Sequence, residues 1–301
     1  MFACHAPVSI HNGGPMSVTA DEVGTTTKPL LSEVDVFGIT HKGLVRSTNA
    51  DHFLVASFHR AIRVHASSIP SESLPAFSPD SRGFLFLVAD GVGSMSHASE
   101  GSAKLTDTIA RYLVDMSEVS MQSEPDRERE VLQRLRESMT TAHEQLREYA
   151  LEVGGGAATT ITMFLMIWPR EFIVHAGDSR GYRLRNGALE RMTQDQTMAQ
   201  VMIEAGSMTQ EQAESSKLKN VLLSAAGGVN FDLEVSTTDL QRDDRHLLCT
   251  DGLTRHVSEA EIREILGSDI GSERVCQDLL ALALERGGED NITIVSGRAR
   301  D

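Results

Sequence analysis

Four segments of the chain each place an aspartate at one end of a short apolar run. They are FLFLVADG, which contains Asp90 and Gly91, FIVHAGDSR with Asp178, HLLCTDGL with Asp251, and GGEDNITIV with Asp290. A glycine beside a carboxylate lets the backbone approach a ligand closely and can offer its carbonyl oxygen as well. Hard cations such as Mg²⁺ and Mn²⁺ bind to oxygen ligands of this kind. One Asp-Gly pair alone would be interpreted as a turn, but four such sites on separate strands favour a carboxylate-metal cluster.

The strands that must position these aspartates are short runs rich in apolar, β-branched or aromatic residues. The sequence Asn186-Gly187 predicts a hairpin with a type I′ turn, because both central residues of that turn need positive φ. The segment of about residues 58–82, which contains several Ser and Pro, is interpreted as a loop between early strands. The predicted strands are residues 34–40, 52–56, 84–89, 159–168, 172–176, 232–237, 246–250 and 292–295.

Helices are predicted between these strands. After Pro125, apolar residues recur with a 3.6-residue period, and residues 99–119 show the same spacing. Ser258 begins a capping box, and the last helix runs to Arg286; Thr209 opens a short helical insert within residues 197–220. Because strands are mixed with pairs of helices and do not alternate regularly with them, the order predicts an α+β fold with antiparallel sheets.

The composition indicates one large domain with an acidic surface. The chain has 301 residues, of which 40% are hydrophobic, and its 43 acidic against 28 basic residues give a formal net charge of −15. Such a charge repels nucleic acid and anionic membranes, so neither is expected as a partner. Residues 1–33 mix Gly, Pro, Ser and Thr without a period and are interpreted as a flexible N-terminal tail, which leaves residues 34–301 as the folded domain.

Cysteine usage and the start of the chain predict the compartment. Cys4, Cys249 and Cys276 form an odd set, and two of them lie in apolar segments, which is typical of free thiols in a reducing environment. The N-terminus does not resemble a secretion signal, and no run approaches the roughly 18 apolar residues of a membrane span. We therefore expect a soluble, cytoplasmic protein.

Five segments together resemble the ordered motifs of the metal-dependent protein phosphatases of type 2C. They are GLVRSTNAD at 43–51, VADGVG at 88–93, AGDSRGYRLRNG at 176–187, LLCTDGL at 247–253 and GGEDNITIV at 287–295. The resemblance covers residues 34–297 and implies a four-layer α-β-β-α sandwich, in which two antiparallel sheets are flanked by helix pairs. It also implies a binuclear metal site at one end of the sandwich and a flap at about residues 198–220.

The resemblance further implies a role for each aspartate. Asp90 would bridge two Mn²⁺ or Mg²⁺ ions, the Gly91 carbonyl would bind one of them, and Asp251 and Asp290 would bind the other. Asp178 would be a ligand of the third, weaker metal that some bacterial members hold. Such a protein would hydrolyse phosphoserine and phosphothreonine on protein substrates of a serine/threonine kinase, as part of a signalling system.

Two further residues are implied to act on the reactants. Asp51 would act through bound water, and Arg46 would direct two N–H donors at the substrate phosphate. A water shared by two divalent ions loses a proton near neutral pH and becomes the nucleophile, so no Ser or Cys nucleophile is needed. Without the neighbouring Asn49 and Asp51, Arg46 would be interpreted as an ordinary surface arginine.

Three positions depart from the family pattern. Ala50 stands where a Glu or Gln often precedes the aspartate, which lowers the expected metal affinity. Val92 replaces a histidine that protonates the leaving group in animal members, although bacterial members commonly lack it. Arg255 stands where an aspartate often follows, and we expect it to alter only contacts outside the metal ligands themselves. His97 is close enough in sequence to donate a proton, but its position favours an exposed loop residue.

Two other functions are compatible with parts of the sequence. Ala50 raises the alternative of a weakly active or non-catalytic sensor or scaffold with the phosphatase fold, although retention of the four aspartates argues against it. Metal chemistry alone would also suit a two-metal nuclease or a hydrolase of small phosphates. The acidic surface and the absence of a basic or aromatic groove argue against the nuclease.

Overall fold

The computed structural model describes residues 28–58, 62–67, 83–92, 97–116 and 125–299, and in it two antiparallel sheets pack face to face. The smaller sheet has five strands. In spatial order these are β1 (Val34–His41), β12 (Ile292–Ala299), β11 (Arg245–Cys249), β8 (Arg180–Arg185) and β9 (Ala188–Arg191). The predicted hairpin between β8 and β9 is confirmed, since Asn186 and Gly187 have φ of 51° and 77°.

The larger sheet has seven strands. Six follow one another in space: β10 (Glu234–Asp239), β7 (Arg170–Ala176), β6 (Ile161–Ile167), β4 (Gly83–Val92), β2 (Asp51–Phe58) and β3 (Ile62–Ser67). The short β5 (Ala158–Thr159) pairs with the end of β4. The prediction of a loop over about residues 58–82 is wrong for β3, whose alternating sequence IRVHAS suits an edge strand paired with β2. Residues 68–82 lie outside the described residues.

The long helices cover the outer faces of both sheets. The long ones are α1 (Ala98–Met116), α2 (Pro125–Glu152), α6 (Glu259–Gly267) and α7 (Ser272–Glu285), and the short ones are α3 (Met198–Glu204), α4 (Gln210–Ser215) and α5 (Asp251–Thr254). The capping boxes predicted at Thr209 and Ser258 are confirmed. The one-turn α5 was not predicted, because four residues are too few to show a period. None of the helices in the described ranges combines the length and the apolar character needed to cross a membrane.

The buried strand β4 shows how the layers form. Leu85, Leu87 and Ala89 face α1 and α2, whereas Phe86 and Val88 belong to the core between the two sheets. A strand buried on both faces needs a continuous apolar run, which is what the segment FLFLVA supplies. A third apolar cluster lies between the five-stranded sheet and α5, α6 and α7. The predicted α+β sandwich with four layers is therefore confirmed.

Glycines in the smaller sheet make room for phenylalanine rings of the larger one. A Cβ atom placed on Gly181 would lie 2.5 Å from the Phe164 ring, and one on Gly297 would lie 2.3 Å from Phe86. Gly38 faces Phe53 in the same way. These contacts let the sheets pack closely around large rings, so the glycines are part of the core between the sheets.

A short turn precedes the predicted start of the domain, and two cysteines are buried within the domain. Residues 31–33 form a 3₁₀ turn, and Glu33 in that turn forms a 2.9 Å ion pair with Arg242. Residues 1–27, which make up most of the predicted tail and include Cys4, lie outside the described residues. Cys249 and Cys276 are buried free thiols, and burial raises the pKa of both.

Candidate metal centre

Three aspartates from three parts of the fold converge at one end of the sandwich. Asp90 lies near the end of β4, Asp178 lies in the turn between β7 and β8, and Asp251 is the first residue of α5. One carboxylate oxygen from each lies within 4.8 Å of the other two. Like charges this close repel one another unless protons or cations are present. The structure thus brings together three of the residues that the sequence marks as metal ligands.

The fourth aspartate of the motif set lies beside this cluster and is paired with two arginines. The Oδ2 atom of Asp290 accepts a 2.7 Å hydrogen bond from Nη2 of Arg46 and lies 3.4 Å from Nη1 of Arg255. Its Oδ1 atom accepts a hydrogen bond from the backbone N–H of Asn291. Asp290 is therefore fixed in direction at the rim of the cluster, with its charge neutralised by guanidinium groups.

Asp51 lies directly opposite Asp90 in the pairing of β2 with β4. Its side chain is buried, and its Oδ2 atom accepts 2.8 Å hydrogen bonds from the hydroxyls of Thr250 and Thr293. The Oδ1 atom has no hydrogen-bond partner among the described residues. Burial raises the pKa of Asp51 to about 7, and the negative charge of Asp251 adds to the effect, while the two threonine hydroxyls oppose it. The unpaired oxygen is suited to hold a water molecule next to the cluster.

The other carboxylates of the cluster are also shifted towards protonation. Burial is the main reason why the pKa of Asp90 lies well above its ordinary value, and the charges of Asp51 and Asp251 raise it further. Burial likewise raises the pKa of Asp178, with Asp251 contributing, and that of Asp251, where Arg255 opposes the shift. An all-oxygen site of high negative charge density matches the requirements of Mg²⁺ or Mn²⁺, so these residues fit such ions.

Gly91 follows Asp90 at a point where the backbone is crowded. A Cβ atom at this position would lie 2.5 Å from the carbonyl oxygen of Ala98 and 2.8 Å from that of Ala50. The Gly91 N–H donates a 3.1 Å hydrogen bond to the Ala50 carbonyl. Glycine is required here because the start of α1 packs against the end of β4.

The cluster opens into two adjoining clefts. The first has a volume of about 890 Å³ and is lined by Arg46, Ala50 and Gly91 together with the aspartates. The second, of about 1040 Å³, extends between α5, α6 and the segment of residues 198–220, and its walls include Arg191 and Lys219. Both clefts share Asp178, Asn220, Asp251 and Arg255, so the second cleft connects directly to the cluster.

Several supporting residues were missed by the sequence analysis. Asn291 accepts a hydrogen bond from the Ala50 N–H and donates to the carbonyls of Lys42 and Thr48, so it fixes the loop that carries Arg46. Thr293 holds Asp51. A signal was available, because residues 291 and 293 point to the same side of an extended chain.

The turn that carries Asp178 is joined to the start of the segment of residues 198–220. Gln196 exchanges two hydrogen bonds with Gly177, one from its backbone N–H at 2.7 Å and one accepted by its Oε1 atom at 2.9 Å. Arg180 and Asp195 form a paired, two-point contact beside it, with distances of 2.6 and 2.9 Å. Asp178 and the entrance to the segment are therefore fixed to each other.

His97 does not belong to the aspartate cluster. Its Nδ1 atom lies 2.9 Å from Oε2 of Glu100 in the first turn of α1, and its side chain is about a third exposed. Neither cleft described above has His97 in its walls. The ring is paired with a carboxylate of α1, the helix that begins at the next residue, as expected for a surface histidine.

Comparison with known proteins assigns this chain to a family. The family model described as Protein phosphatase 2C matches residues 75–268, and the chain belongs to that family. Its relatives include the serine/threonine protein phosphatase PstP of Mycobacterium tuberculosis, which is 38% identical over 140 residues, and the serine/threonine phosphatase stp of Listeria innocua, which is 37% identical over 142 residues.

The matched segments cover only part of each protein. Both alignments span 46% of this chain, and they cover 27% of PstP and 56% of stp. The similarity extends further in three dimensions. The crystal structure of the PstP catalytic domain in complex with two manganese ions superposes with a TM-score of 0.69 and 25% identity, covering 89% of this chain and 99% of that one.

Proposed function

We propose that this protein is a metal-dependent serine/threonine protein phosphatase, which hydrolyses phosphoserine and phosphothreonine on protein substrates. The observation that carries the proposal is the convergence of Asp90, Asp178 and Asp251 within 4.8 Å, next to the unpaired Oδ1 atom of Asp51. Family membership and the manganese bound by the PstP catalytic domain support the same conclusion.

The donor set suggests how Mn²⁺ or Mg²⁺ would be held. Asp90 and the Gly91 carbonyl would bind one ion, while Asp251 and Asp290, together with Asp90, would bind a second. Asp178 would be a ligand of a third, weaker ion. The raised pKa values of Asp90, Asp178 and Asp251 support this assignment, because groups that repel one another bind protons or cations more readily.

When bound, such ions supply Lewis acidity, which turns water into a nucleophile near neutral pH and offsets charge on the phosphoryl oxygens. The water oxygen attacks phosphorus, the bond from phosphorus to the Ser or Thr oxygen breaks, and the departing oxygen takes up a proton to give the free hydroxyl and inorganic phosphate. Asp51 would orient the attacking water through Oδ1, because Oδ2 is already fixed by Thr250 and Thr293.

Arg46 would bind the phosphate group. It lies in the wall of the first cleft, and 49% of its side chain is exposed. Its hydrogen bond to Asp290 uses only Nη2, and the guanidinium has further N–H groups that can donate to phosphate oxygens. A planar group with several donors suits a phosphate better than an ammonium does.

Residues 34–301 would form the phosphatase domain, and residues 198–220 would form a flap that selects protein substrates. The helices α3 and α4 lie in this segment, whose Asn220 is shared by both clefts. The substrates would be proteins phosphorylated by a serine/threonine kinase. The buried thiols of Cys249 and Cys276 support a reducing, cytoplasmic location, and the net charge of −15 makes nucleic acid or membrane partners unfavourable.

A non-catalytic scaffold is the second candidate, and one observation favours it. Arg255 is paired with Asp251, and Asp290 is paired with Arg46, so two proposed ligands already have cationic partners. Ala50 also supplies only a methyl group to the wall of the first cleft. A protein whose carboxylates were permanently neutralised in this way would keep the fold without binding metal.

An assay of the purified protein separates the two candidates. Initial rates would be measured on a phosphothreonine peptide and on p-nitrophenyl phosphate, with manganese, with magnesium and with excess EDTA. A phosphatase of the proposed kind hydrolyses both compounds with added metal and is inactive in EDTA. Activity that persists in EDTA would rule out the metal mechanism, and inactivity under every condition would favour the scaffold.

A further inference from the structure

Arg255 extends its guanidinium group between two of the proposed metal ligands. Its Nε atom donates a 2.9 Å hydrogen bond to Oδ2 of Asp251, and Nη2 contacts the same oxygen. Its Nη1 atom lies 3.4 Å from Oδ2 of Asp290. One side chain thus contacts carboxylates from α5 and from the loop before β12, which otherwise would repel each other across the cluster.

This arrangement differs from the contact made by Arg46. Arg46 contacts Asp290 and is half exposed, whereas 27% of the Arg255 side chain is exposed. The negative charge of Asp178, another aspartate of the cluster, also stabilises the positive charge of Arg255. Because charges interact more strongly away from water, Arg255 is the better placed of the two to act as the internal counter-ion.

The position of Arg255 is set by the local fold. It follows the last residue of α5, one helical turn after Asp251, so the two side chains lie on the same face at the (i, i+4) spacing. Arg255 also lies in the walls of both clefts. Space for its side chain therefore exists on the flap side as well as beside the cluster.

We propose that Arg255 competes with divalent cations for Asp251 and Asp290 and so sets the metal affinity of this site, an inference that rests on the proposed metal-dependent function. In the metal-free protein the guanidinium takes the place of a cation and stabilises the crowded carboxylates. A metal ion at Oδ2 of Asp251 would lie next to the positive charge of Arg255, so binding at this oxygen is opposed until the guanidinium moves away. The metal concentration needed to half-saturate the site is therefore higher than it would be for the same carboxylates without Arg255.

Isothermal titration calorimetry with Mn²⁺ on the full chain tests this inference. The variant Arg255→Gln removes the charge, Arg255→Lys keeps it, and Arg111→Gln is a matched control. Arg111 forms the same Asp(i)–Arg(i+4) contact with Asp107 on α1, with an Nε–Oδ2 distance of 2.8 Å. We expect Arg255→Gln to bind Mn²⁺ about tenfold more tightly than the wild type, which corresponds to about 1.4 kcal/mol.

Thermal unfolding adds a readout that does not depend on activity. In EDTA, Arg255→Gln should melt a few degrees below the wild type, because the carboxylates lose their counter-ion, and manganese should raise its Tm by more than it raises that of the wild type. Arg111→Gln should resemble the wild type in both measurements. Arg255→Lys should stay within about threefold of the wild-type affinity, because the charge is retained.

The outcomes separate this inference from the function on which it rests. If the wild type binds no Mn²⁺, the proposed function is wrong and the inference falls with it. If the wild type binds Mn²⁺ and Arg255→Gln binds it equally or more weakly, only the inference is wrong.

A measurement on the wild type covers the case in which Arg255→Gln does not fold. The Nε–H resonance of Arg255, assigned by its loss in Arg255→Lys, should be protected from exchange in EDTA and lose that protection on saturation with Mg²⁺. Protection that is unchanged at saturating Mg²⁺ would overturn the inference.

Discussion

Each aspartate of the cluster owes its properties to its immediate neighbours. Asp51 and Asp90 face each other across two paired strands, yet the two threonine hydroxyls fix only Asp51. Asp290 is paired with Arg46, and Asp251 with Arg255. We therefore propose different roles for the same type of side chain. Asp51 orients water and Asp90 bridges the cluster. Asp251 and Asp290 exchange an arginine partner for metal.

Arg46→Ala should mainly weaken substrate binding. The guanidinium is proposed to contact the phosphate and not to activate water, so we expect a large rise in KM and a smaller fall in kcat on the phosphothreonine peptide. Arg46→Lys is the matched control and should recover part of the loss, because charge is kept and the two-donor geometry is not. Unchanged kinetics for Arg46→Ala on both the peptide and p-nitrophenyl phosphate would show that Arg46 is an ordinary surface residue.

Among the elements, the strands and long helices could be predicted because their apolar periods are long enough to be recognised. The run FLFLVA in β4 and the 3.6-residue pattern of α2 are clear examples. The edge strand β3 and the one-turn α5 were missed, since the alternation in β3 covers only six residues and α5 is a single turn.

Contacts between elements were harder to predict than the elements themselves. The four aspartates were found from the sequence, because each follows or precedes an apolar run. Their convergence and the insertion of Arg255 between Asp251 and Asp290 depend on how two sheets meet, which local patterns do not encode. The hydroxyl of Thr250, which also holds Asp51, was missed for the same reason, whereas Thr293 could have been found from its spacing to Asn291.

The flap proposed at residues 198–220 should affect protein substrates more than small ones. Loops beside a rigid site carry selectivity, and Asn220 connects this segment to both clefts. Replacing α4 with a short Gly-Ser linker should lower kcat/KM on a phosphoprotein by roughly tenfold or more, with a much smaller effect on p-nitrophenyl phosphate. Thr209→Ala, which removes the α4 cap, should act in the same direction but more weakly. Equal losses on both substrates would count against a selective flap.

Gly181→Ala should destabilise the protein through the core between the sheets. The added methyl group would lie 2.5 Å from the ring of Phe164, and overpacking of this kind typically costs about 1–3 kcal/mol. Gly267→Ala is the matched control, since its nearest neighbour would be an atom of Leu184 at 3.6 Å. Urea unfolding should give a lower free energy of unfolding for Gly181→Ala and little change for Gly267→Ala. A Gly181→Ala variant as stable as the wild type would show that the sheets can separate locally without cost.

For the whole molecule, the acidic cluster makes the stability of the protein depend on both metal and pH. The carboxylates of two sheets and their connecting loops meet at one end of the sandwich, and burial raises the pKa of Asp51, Asp90, Asp178 and Asp251. The folded, metal-free protein therefore holds protons that the unfolded chain releases at lower pH. Metal ions would replace these protons, so folding and metal binding are linked.

In the metal-free protein, the contribution of Asp51 to stability should be lost as pH rises from about 4 to about 7. Asp51 keeps its proton in the folded state up to a pKa of about 7, whereas the unfolded chain releases it near 3.8, so the unfolded state binds fewer protons within this window. The stabilisation is complete below the lower value and is lost through the higher one. Groups with lowered pKa act in the opposite direction. Glu261 does so at lower pH, and His52, His143 and His175, whose pKa burial lowers from the ordinary value of 6.5, do so within the same window.

Urea unfolding in EDTA at about pH 5 and about pH 8 checks this prediction. The histidines titrate in both the wild type and Asp51→Asn, whereas the amide of the variant does not, so the free energy of unfolding at the lower pH minus that at the higher pH should be larger in the wild type than in Asp51→Asn. A difference between the two pH values that is the same in both proteins, or larger in Asp51→Asn, would show that Asp51 does not hold a proton in the folded state.

Asp90 provides the most direct test that the carboxylate cluster is a catalytic metal centre. Asp90→Asn changes a charged oxygen ligand into a neutral amide of nearly the same volume, so the fold should be retained, as judged by circular dichroism. Manganese binding and turnover of the phosphothreonine peptide would be measured on the same preparations of wild type and variant, with Asp251→Asn as a second variant. We predict that the wild type binds manganese and turns over the peptide, and that each variant loses bound manganese and about 100-fold or more in kcat. Near wild-type turnover by Asp90→Asn at saturating manganese would contradict the assignment.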